Sequence, residues 1–409
     1  MSDPGLMATL SPTAPHDEPT VGSAPPTTAT TINRSRSTVL PTVAEIDGEA
    51  RLVHTERPRY AEVSSLGSGG MGEVKLVHDQ DIDRKVALKR LYPNSDSISL
   101  ARFAEEVRIV GRLEHPNIVP IHDVGIDERG QHFFVMKYVD GETLEKIIKH
   151  LAAGDPAYVS RYTHAHRLQI AIELLRALQH AHENGIIHRD LKPANIMVGR
   201  YGEVMLMDWG LAKPVSRKDT IVTPPTAEDT VVETQASSLR AHATQHGAIL
   251  GTPAYMSPEQ AAGKHDSLDE RSDLYAIGVV LYELFTLVHP RNAKTVYELL
   301  HVVANEPISG TKMFGAFTKA GAPAGVGHAL MVACAQDPKD RFASAAEMSA
   351  RLAAIRDGDV PIQCHVTFLT RMSAIAVRQT QRHPLLALFL LFVLPLLTFF
   401  GLWQVARML

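Results

Sequence analysis

Short runs of apolar residues in the first half of the chain, bounded by polar and turn residues, predict β-strands. The clearest runs are Val74-Lys75-Leu76-Val77-His78, Val86-Ala87-Leu88-Lys89 and Phe133-Phe134-Val135-Met136. Further along, apolar residues recur at the spacing of one helix face, at Leu168, Ile172, Leu175 and Leu178. Gly185, directly after Asn184, is a typical stop for that helix. From about Tyr60 to Arg356 the pattern therefore predicts a small β-rich part followed by a larger helical part.

Residues 1–57 show no sustained strand or helix period and are dominated by Thr, Ser, Pro and Ala. Because it has few large apolar side chains, such a segment cannot bury enough surface to offset its chain entropy. Acidic residues lie near its start and no apolar stretch follows them, so it does not have the form of a secretory signal. We expect a disordered arm over 1–57.

The stretch from Pro384 to Trp403 carries no charge, and Thr398 is its only polar side chain. As a helix rising 1.5 Å per residue it would be about 30 Å long, the thickness of a bilayer's hydrocarbon core. A buried helix of a soluble fold is the alternative, but such helices usually show a polar stripe. Membrane helices tolerate the kink that Pro395 would introduce. We predict a transmembrane helix over 384–406.

Positive charge is distributed unequally around this predicted span. Arg371, Arg378 and Arg382 precede it, whereas only Arg407 follows it. By the positive-inside rule, the residues before the span lie in the cytoplasm. The chain is therefore expected to be a single-pass membrane protein with a juxtamembrane segment over 357–383, and the domain that precedes this segment is expected in the cytoplasm.

Composition narrows the classes of partner and site. The 409 residues contain 41 Lys and Arg against 45 Asp and Glu, a net charge of −4, so the basic excess of a nucleic-acid binder is missing. Two cysteines, Cys334 and Cys364, supply neither a disulfide framework nor a CxxC metal pair. Histidine pairs such as His180/His182 lack the i, i+4 spacing that places two ligands on one helix face. We predict no nucleic-acid partner and no histidine metal site.

A glycine-rich run, Leu66-Gly67-Ser68-Gly69-Gly70-Met71-Gly72-Glu73-Val74, has the spacing G-x-G-x-x-G. Without β-carbons, such a backbone can approach a polyphosphate closely. A glycine-rich turn without function and a dinucleotide-binding fold are the alternatives, but the dinucleotide site requires a helix directly after the glycines. Here strand character resumes at Val74. This favours a hairpin that covers phosphates, with Lys89 as the cation beneath it.

The stretch from Ser99 to Leu113 predicts a helix whose inner face carries Phe103, Val107 and Val110. Two acids, Glu105 and Glu106, lie on the same segment. One of them can pair with Lys89 and fix a side chain that is otherwise mobile, whereas two solvated acids are the alternative. We assign the pairing to Glu106.

Two further motifs follow, His188-Arg189-Asp190-Leu191-Lys192-Pro193-Ala194-Asn195-Ile196-Met197 and Met207-Asp208-Trp209-Gly210. Phosphoryl transfer needs a carboxylate to accept the hydroxyl proton, oxygen ligands for Mg²⁺, and cations for the charge of the transferred group. Asp190 supplies the first requirement and Asn195 with Asp208 the second. Lys192 and Lys89 supply the third. Each residue alone would be an ordinary loop residue, but the whole string predicts a phosphoryl-transfer site.

In their order, these motifs resemble those of the eukaryotic-like protein kinases, most closely the bacterial serine/threonine kinases with a membrane anchor. The resemblance covers about 60–356 and implies an α+β, two-lobed kinase fold plus one C-terminal transmembrane helix. It implies that ATP contacts the loop residues Leu66, Gly67, Ser68, Gly69, Gly70, Met71 and Gly72, the adenine-pocket residues Val74 and Ala87, the gatekeeper Met136, and the hinge residues Tyr138 and Val139.

The same resemblance assigns the catalytic roles. Lys89, held by Glu106, contacts the α- and β-phosphates of ATP. Asp190 is the catalytic base, and Lys192 acts beside it. Asn195 and Asp208 hold Mg²⁺, for which Mn²⁺ is an alternative. Trp209 stands where Phe is usual, so we expect a working magnesium loop with altered switching behaviour.

Downstream, Gly251-Thr252-Pro253-Ala254-Tyr255-Met256-Ser257-Pro258-Glu259 resembles the end of a kinase activation segment. The family pattern implies that Glu259 pairs with Arg341 and that Asp273 braces the catalytic loop. Lys192 together with Thr252 resembles serine/threonine rather than tyrosine kinases. The acceptor is therefore expected to be an aliphatic hydroxyl group.

The middle of the activation segment, about 215–247, is rich in Thr, Ser and acids and shows no period. A phosphate there would be drawn to Arg189 and would order the segment, whereas an inert insertion is the alternative. The candidate acceptors are Thr220, Thr223, Thr226, Thr230, Thr234, Ser237, Ser238 and Thr244.

The sequence thus predicts an ATP- and Mg²⁺-dependent serine/threonine protein kinase that signals from the cytoplasmic face of a membrane. We expect it to phosphorylate its own activation segment, within a homodimer, as well as protein substrates. A membrane-tethered, non-catalytic scaffold is one alternative, although such modules usually lack the lysine, the base or a metal position. A kinase of small molecules is the other, although those relatives generally lack a segment like 251–259.

Overall fold

The structure is a computed structural model that describes residues 38–46, 49–53, 57–214, 252–264, 267–359, 362, 365–384, 389–393, 396–400, 403 and 407. Most of the predicted N-terminal arm lies outside the described residues. The candidate phosphorylation sites from Thr220 to Thr244 also lie outside them, as do Gly251 and Cys364.

A two-stranded hairpin precedes the main sheet. Its strands, β1 (Thr42–Ile46) and β2 (Glu49–Val53), pair antiparallel. The chain before β1 is tied to the main sheet, because the N–H groups of Val39 and Leu40 donate to Oδ1 of Asp81 at 2.9 and 3.1 Å. The disorder predicted over 1–57 therefore does not extend to these strands. Backbone pairing and the contacts of Asp81 supply order that the side-chain pattern does not reveal.

The main sheet has five antiparallel strands in the order β3-β4-β5-β7-β6. They are β3 (Tyr60–Ser68), β4 (Gly72–Asp79), β5 (Arg84–Leu91), β6 (Ile121–Ile126) and β7 (His132–Lys137). Helix α1 (Ser97–Arg112) follows β5 and begins at the N-cap Asp96, whose side chain accepts from the N–H of Ser99. All three predicted strand runs lie in β4, β5 and β7, and these predictions are confirmed.

The two faces of this sheet have different partners. Directly opposed residues share a face, so the register places Val74, Lys89 and Phe134 together. Phe134 on that face packs with Leu91 and with Phe103 of α1. The other face buries a separate apolar cluster of Val77, Val86, Leu88, Phe133 and Val135. Lys89 therefore projects toward α1 rather than toward the second cluster.

The remainder of the chain is mainly helical. Its helices are α2 (Leu144–Ala152), α3 (Pro156–Arg161), α4 (His164–Glu183), α5 (Pro258–Ala261), α6 (Glu270–Thr286), α7 (Val296–Asn305), α8 (Gly310–Lys319), α9 (Ala324–Ala333) and α10 (Ala345–Arg356). Short strands lie among them: β8 (Gly141–Thr143), β9 (Ile186–Ile187), β10 (Ile196–Gly199), β11 (Val204–Leu206) and β12 (Lys213–Pro214).

Helix α4 confirms the helix predicted from apolar spacing. Leu168, Ile172, Leu175 and Leu178 are all buried on it. Its C-cap is Asn184, and Gly185 follows with a φ of 70°, a left-handed conformation that glycine adopts without a steric penalty. Helices α4 and α6 belong to the largest apolar core. A β-rich lobe followed by a helical lobe is thus present, and the predicted two-lobed α+β architecture is confirmed.

Beyond the helical lobe lies one more long helix, α11 (His365–Arg382), which packs against α9. The transmembrane helix predicted over 384–406 falls partly outside the described residues. Within the part of the chain that the structure describes, we find no helix with both the length and the apolar character needed to cross a bilayer.

Candidate active site

The glycine-rich run forms the turn between β3 and β4, so it lies in a hairpin. The N–H of Gly69 donates to the carbonyl of Gly72 at 2.8 Å and closes this turn. A β-carbon placed at Gly67, Gly69 or Gly70 would have no neighbour within 4 Å. At Gly72, by contrast, it would collide with the carbonyl oxygen of Arg90. The first glycines thus leave open space, whereas Gly72 is required by strand packing.

The other predicted nucleotide contacts lie along the face of the sheet that carries Lys89. Val74 is opposite Lys89, and Ala87 is opposite Met136 in the register. Leu66 and Ser68 are exposed, whereas Met71 and Met136 pack against the cluster around Phe134. Of the two predicted hinge residues, Tyr138 is half-buried and Val139 is buried. The register therefore places Val74, Ala87 and Met136 on the face of the sheet that carries Lys89.

An ion pair fixes Lys89. Its Nζ lies 2.6 and 2.8 Å from the two carboxylate oxygens of Glu106, and 3.8 Å from Oδ1 of Asp208. Glu106 is buried on the inner face of α1 with Phe103 and Val110. Burial works to lower the pKa of Lys89, but the carboxylates of Glu106 and Asp208 outweigh it and raise that pKa. Lys89 is therefore held as a cation with its position fixed, and the predicted pairing with Glu106 is present.

The carboxylate of Asp190 is held on both sides. Nζ of Lys192 donates to Oδ2 at 2.6 Å, and the N–H and hydroxyl of Thr252 donate to Oδ1 at 3.0 and 3.2 Å. Nδ2 of Asn195 donates to the main-chain carbonyl of Asp190 at 2.9 Å. The catalytic loop and the end of the activation segment thus meet at this carboxylate.

The loop that carries Asp190 is braced from below by Asp273, in the first turn of α6. Its carboxylate accepts from the N–H groups of His188 and Arg189, and Nε2 of His182 lies 2.9 Å from it. Burial acts to raise the pKa of Asp273, but the hydrogen bond with His182 and the other donors lower it on balance. Asp273 is therefore a buried carboxylate, as the family pattern implies.

Two non-glycine residues of the site have left-handed backbones. Arg189 has a φ of 69° and Asp208 a φ of 60°. Such conformations are costly outside glycine and persist only where the surroundings impose them. Arg189 is held by the contact of its N–H with Asp273, and Gln260 donates to its carbonyl at 3.0 Å. Strain is thus stored in the loop that carries the predicted base Asp190 and in the loop that carries the predicted metal ligand Asp208.

A second buried ion pair anchors the activation segment. Nη1 and Nη2 of Arg341 lie 2.7 and 2.8 Å from the two oxygens of Glu259, and Ser272 donates to the same carboxylate at 2.6 Å. Burial acts to raise the pKa of Glu259, but Arg341 outweighs it and holds that pKa below its usual range. The pairing that the resemblance implied is present.

The residues predicted to hold Mg²⁺ fit a hard cation that prefers oxygen ligands. Because the Nδ2 of Asn195 donates to Asp190, its amide oxygen is the atom left for a metal. The side chain of Asp208 is half exposed. A β-carbon placed on Gly210 would be in contact with Oδ1 of Asp208. No group of three or more His, Cys, Asp or Glu able to hold a metal occurs among the described residues. With their side-chain oxygens, Asn195 and Asp208 would hold the ion together with phosphate oxygens.

Two features of the site carry no signal in the sequence. His182, which contacts Asp273, lies on a helix face like many others, and nothing in its spacing identifies it. The indole of Trp209 is buried against the ring of His188, with ring centroids 4.6 Å apart, and its Nε1 has no hydrogen-bond partner among the described residues. The motif at Asp208 identifies the position of Trp209 but not this packing.

Comparisons with known proteins agree with this geometry. A family model described as a protein kinase domain matches residues 60–343. The chain is 33% identical to serine/threonine-protein kinase PknD of Chlamydia abortus over 71% of its own length and 30% of that protein. It is 34% identical to serine/threonine-protein kinase PknB of Mycobacterium leprae over 74% of this chain and 44% of that protein.

A probable serine/threonine-protein kinase of Corynebacterium efficiens is 35% identical, over 72% of this chain and 41% of that protein. The chain thus spans less than half the length of these curated relatives. The family match begins at Tyr60, the first residue of β3, and includes every residue assigned above to nucleotide, metal or catalysis. The chain therefore belongs to the protein kinase domain family, among the serine/threonine-protein kinases.

Proposed function

We propose that this chain transfers the γ-phosphoryl group of ATP to serine and threonine hydroxyls of protein substrates, with Mg²⁺ or, in its place, Mn²⁺. The single observation that carries the proposal is the convergence of Lys89, Glu106 and Asp208 within one ion-paired cluster. Relatives whose names give the same activity support it.

Each residue has a distinct part in the proposed reaction. Lys89 binds phosphate oxygens, and its ion pair with Glu106 keeps the ammonium group in place. Asp190 orients the acceptor hydroxyl and takes its proton, while Lys192 neutralises charge beside it. Asn195 and Asp208 would hold Mg²⁺, which supplies charge neutralisation on the phosphates. The hydrogen bonds from Thr252 to Asp190 support an aliphatic acceptor.

We further propose that the chain phosphorylates its own activation segment, in a homodimer. Nε of Arg189 is buried and has no hydrogen-bond partner among the described residues, and burial lowers the pKa of this guanidinium. A phosphate on the segment between Pro214 and Thr252 would supply the missing acceptor. Mass spectrometry of the chain incubated with ATP, compared with its Asp190→Asn variant, would locate such phosphates.

Membrane anchorage belongs to the same proposal. The uncharged stretch 384–403 and the three arginines before it support a single-pass anchor with the kinase domain on the cytoplasmic side. Retention of the full chain in the membrane pellet after alkaline carbonate extraction is the expected result. Recovery of the chain in the supernatant would contradict the anchor but would not bear on the proposed kinase activity.

The activity itself is tested with purified full-length chain, labelled ATP, Mg²⁺ and casein. We expect phosphoserine and phosphothreonine in wild type and in Asp83→Asn, a control whose carboxylate is 93% exposed, and almost none in Asp190→Asn. Full activity in Asp190→Asn would refute the role of the base. ATP binding without any phosphoryl transfer would identify a non-catalytic scaffold instead.

A further inference from the structure

The C-terminal helix α11 carries a stripe of positive charge. Arg371, Arg378 and Arg382 are spaced i, i+7 and i+11, which places them within a narrow sector of one helix face. The carboxylate of Asp359 lies 3.6 Å from the guanidinium of Arg371, and the carboxylate of Asp357 interacts electrostatically with Arg378. Both acids precede the helix. After Asp359 the sequence contains no further Asp or Glu.

An exposed apolar stripe runs beside these arginines. Phe368, Met372 and Ile375 are spaced i, i+4 and i+7, and their exposed fractions are 44%, 49% and 42%. Two of them neighbour the basic stripe, because Phe368 precedes Arg371, and Ile375 precedes Arg378, by three positions. Leu369, on the adjoining side, is 63% exposed. Apolar side chains of this size are costly to leave in water unless a partner covers them.

One face of α11 is already used for packing. Thr367 is 1% exposed, and a β-carbon at Gly358 would lie 2.9 Å from the β-carbon of Ala374. Helix α11 also contacts α9 at the base of the helical lobe. The helix is therefore held against the kinase domain by one face, which the arginine stripe borders, while its apolar stripe remains exposed.

We propose that this surface of α11 binds the headgroup region of an anionic lipid bilayer. The inference rests on the proposed membrane anchorage, because α11 ends two residues before the uncharged stretch that begins at Pro384. Amphipathic helices with arginines beside an apolar stripe lie in the membrane interface, with apolar residues among the acyl chains and cations at anionic headgroups. Both stripes of α11 have this arrangement.

A second copy of the chain is the competing occupant, and charge disfavours it. If the apolar stripes of two α11 helices packed together, the arginine stripes that border them would also approach each other. Like charges at short range repel, and the two nearby acids, Asp357 and Asp359, can offset only two of the three arginines in each copy. Lipid phosphates, by contrast, complement the basic stripe.

Contact of α11 with lipid would also orient the kinase domain. Because α11 packs on α9, which contacts other helices of the helical lobe, that lobe would be the one next to the bilayer. The active site would then act on substrates held close to the membrane.

The test uses the full chain in proteoliposomes with spin labels attached to single cysteines. Cys364→Ser removes the cysteine next to the helix, and Cys334 is buried. Labels at Phe368→Cys and Ile375→Cys report on the apolar stripe, and Tyr201→Cys, at a side chain that is 83% exposed, is the aqueous reference. Accessibility to oxygen is compared with accessibility to a water-soluble nickel chelate, in phosphatidylcholine with and without about one third phosphatidylglycerol.

With anionic lipid, we expect the ratio of oxygen to nickel accessibility to rise severalfold at positions 368 and 375 and to stay unchanged at 201. Replacement of Arg371, Arg378 and Arg382 by Gln should abolish that rise. The matched control is the triple variant Lys85→Gln with Arg129→Gln and Lys146→Gln, which removes the same amount of charge from exposed positions outside α11. In this control the rise in the accessibility ratio should be preserved.

Three results would overturn the proposal. Labels that stay aqueous in every lipid, while the chain stays in the carbonate-resistant pellet, would leave the anchor intact and remove the proposed role of α11. Spin–spin broadening at 368 and 375 would assign the stripe to a second copy. Equal burial with and without phosphatidylglycerol would exclude recognition of anionic headgroups. Loss of the chain from the pellet would refute the anchor instead.

Discussion

The carboxylate of Asp273 accepts hydrogen bonds from the main-chain N–H groups of His188 and Arg189, at 2.8 and 2.9 Å. These residues directly precede Asp190 in the loop. Asp273 is fully buried within the helical lobe, so it touches no substrate. It acts instead by fixing the backbone that carries the proposed base.

Replacing Asp273 by Asn should therefore destabilise the fold. An amide of the same size has one accepting atom where the carboxylate has two, so a main-chain N–H of the loop would lose its acceptor. We expect a loss of about 1–3 kcal/mol in the free energy of unfolding, measured by denaturant titration. Asp269→Asn is the matched control, because Asp269 caps α6 through Arg271 N–H and Asn caps nearly as well.

The contribution of Asp273 should also depend on pH. Its pKa is lower in the folded state than the value of about 3.9 in the unfolded chain, because its hydrogen bond with His182 and its other donors outweigh the effect of burial. Its stabilisation is thus complete above the unfolded pKa and disappears as pH falls through the folded pKa. The stability difference between wild type and Asp273→Asn should shrink below about pH 4. A difference independent of pH would contradict this account.

Lys89→Met should remove most of the phosphoryl transfer. The ammonium group of Lys89 donates to both carboxylate oxygens of Glu106, and it is the proposed ligand of the phosphates. We expect kcat to fall by about 10²–10³-fold, as for the loss of one preorganised charge contact. Lys85→Met, an exposed residue of the same strand, is the control. Unchanged phosphorylation of casein by Lys89→Met would refute the assignment.

Arg341→Leu should destabilise the helical lobe strongly. It leaves the buried carboxylate of Glu259 with Ser272 as its remaining side-chain donor. Breaking one partner of a buried pair costs about 3–5 kcal/mol in the free energy of unfolding. The double variant Glu259→Leu with Arg341→Leu should cost less than the sum of the single variants, since no buried charge is then left. Additive losses would show that the two side chains act independently.

Gly72→Ala and Gly70→Ala should behave differently. A methyl group at Gly72 meets the carbonyl of Arg90, so we expect a stability loss of about 1–3 kcal/mol. At Gly70 there is no neighbour within 4 Å, so stability should change by less than about 0.5 kcal/mol. The KM for ATP should rise in Gly70→Ala, because the added methyl occupies space proposed for phosphate. Equal melting temperatures for the two variants would contradict the packing role of Gly72.

The side-chain pattern was sufficient to predict the central elements of both lobes. Apolar runs locate β4, β5 and β7, and the spacing from Leu168 to Leu178 locates α4. The helical phase also separates Glu106 from Glu105, because Glu106 lies three and four positions from the inward-facing Phe103 and Val110. These predictions succeed because burial imposes a period on the sequence.

Features that depend on contacts between distant segments could not be predicted in this way. The β1–β2 hairpin exposes most of its side chains, so no burial pattern reveals it, and its tie to Asp81 joins residues far apart in the chain. The contact of His182 with Asp273 likewise depends on how α4 crosses α6. The burial of Thr367, a residue of α11, has the same origin.

The collision at Gly72 changes how its glycine motif should be interpreted in related chains. Selection for a stable hairpin is enough to retain that third glycine, even in a descendant that no longer handles a nucleotide. Substitutions at the first two glycines, by contrast, escape this constraint and can accumulate once catalysis is lost. The residues at positions 67 and 69, rather than the complete motif, should therefore distinguish active kinases from inactive relatives.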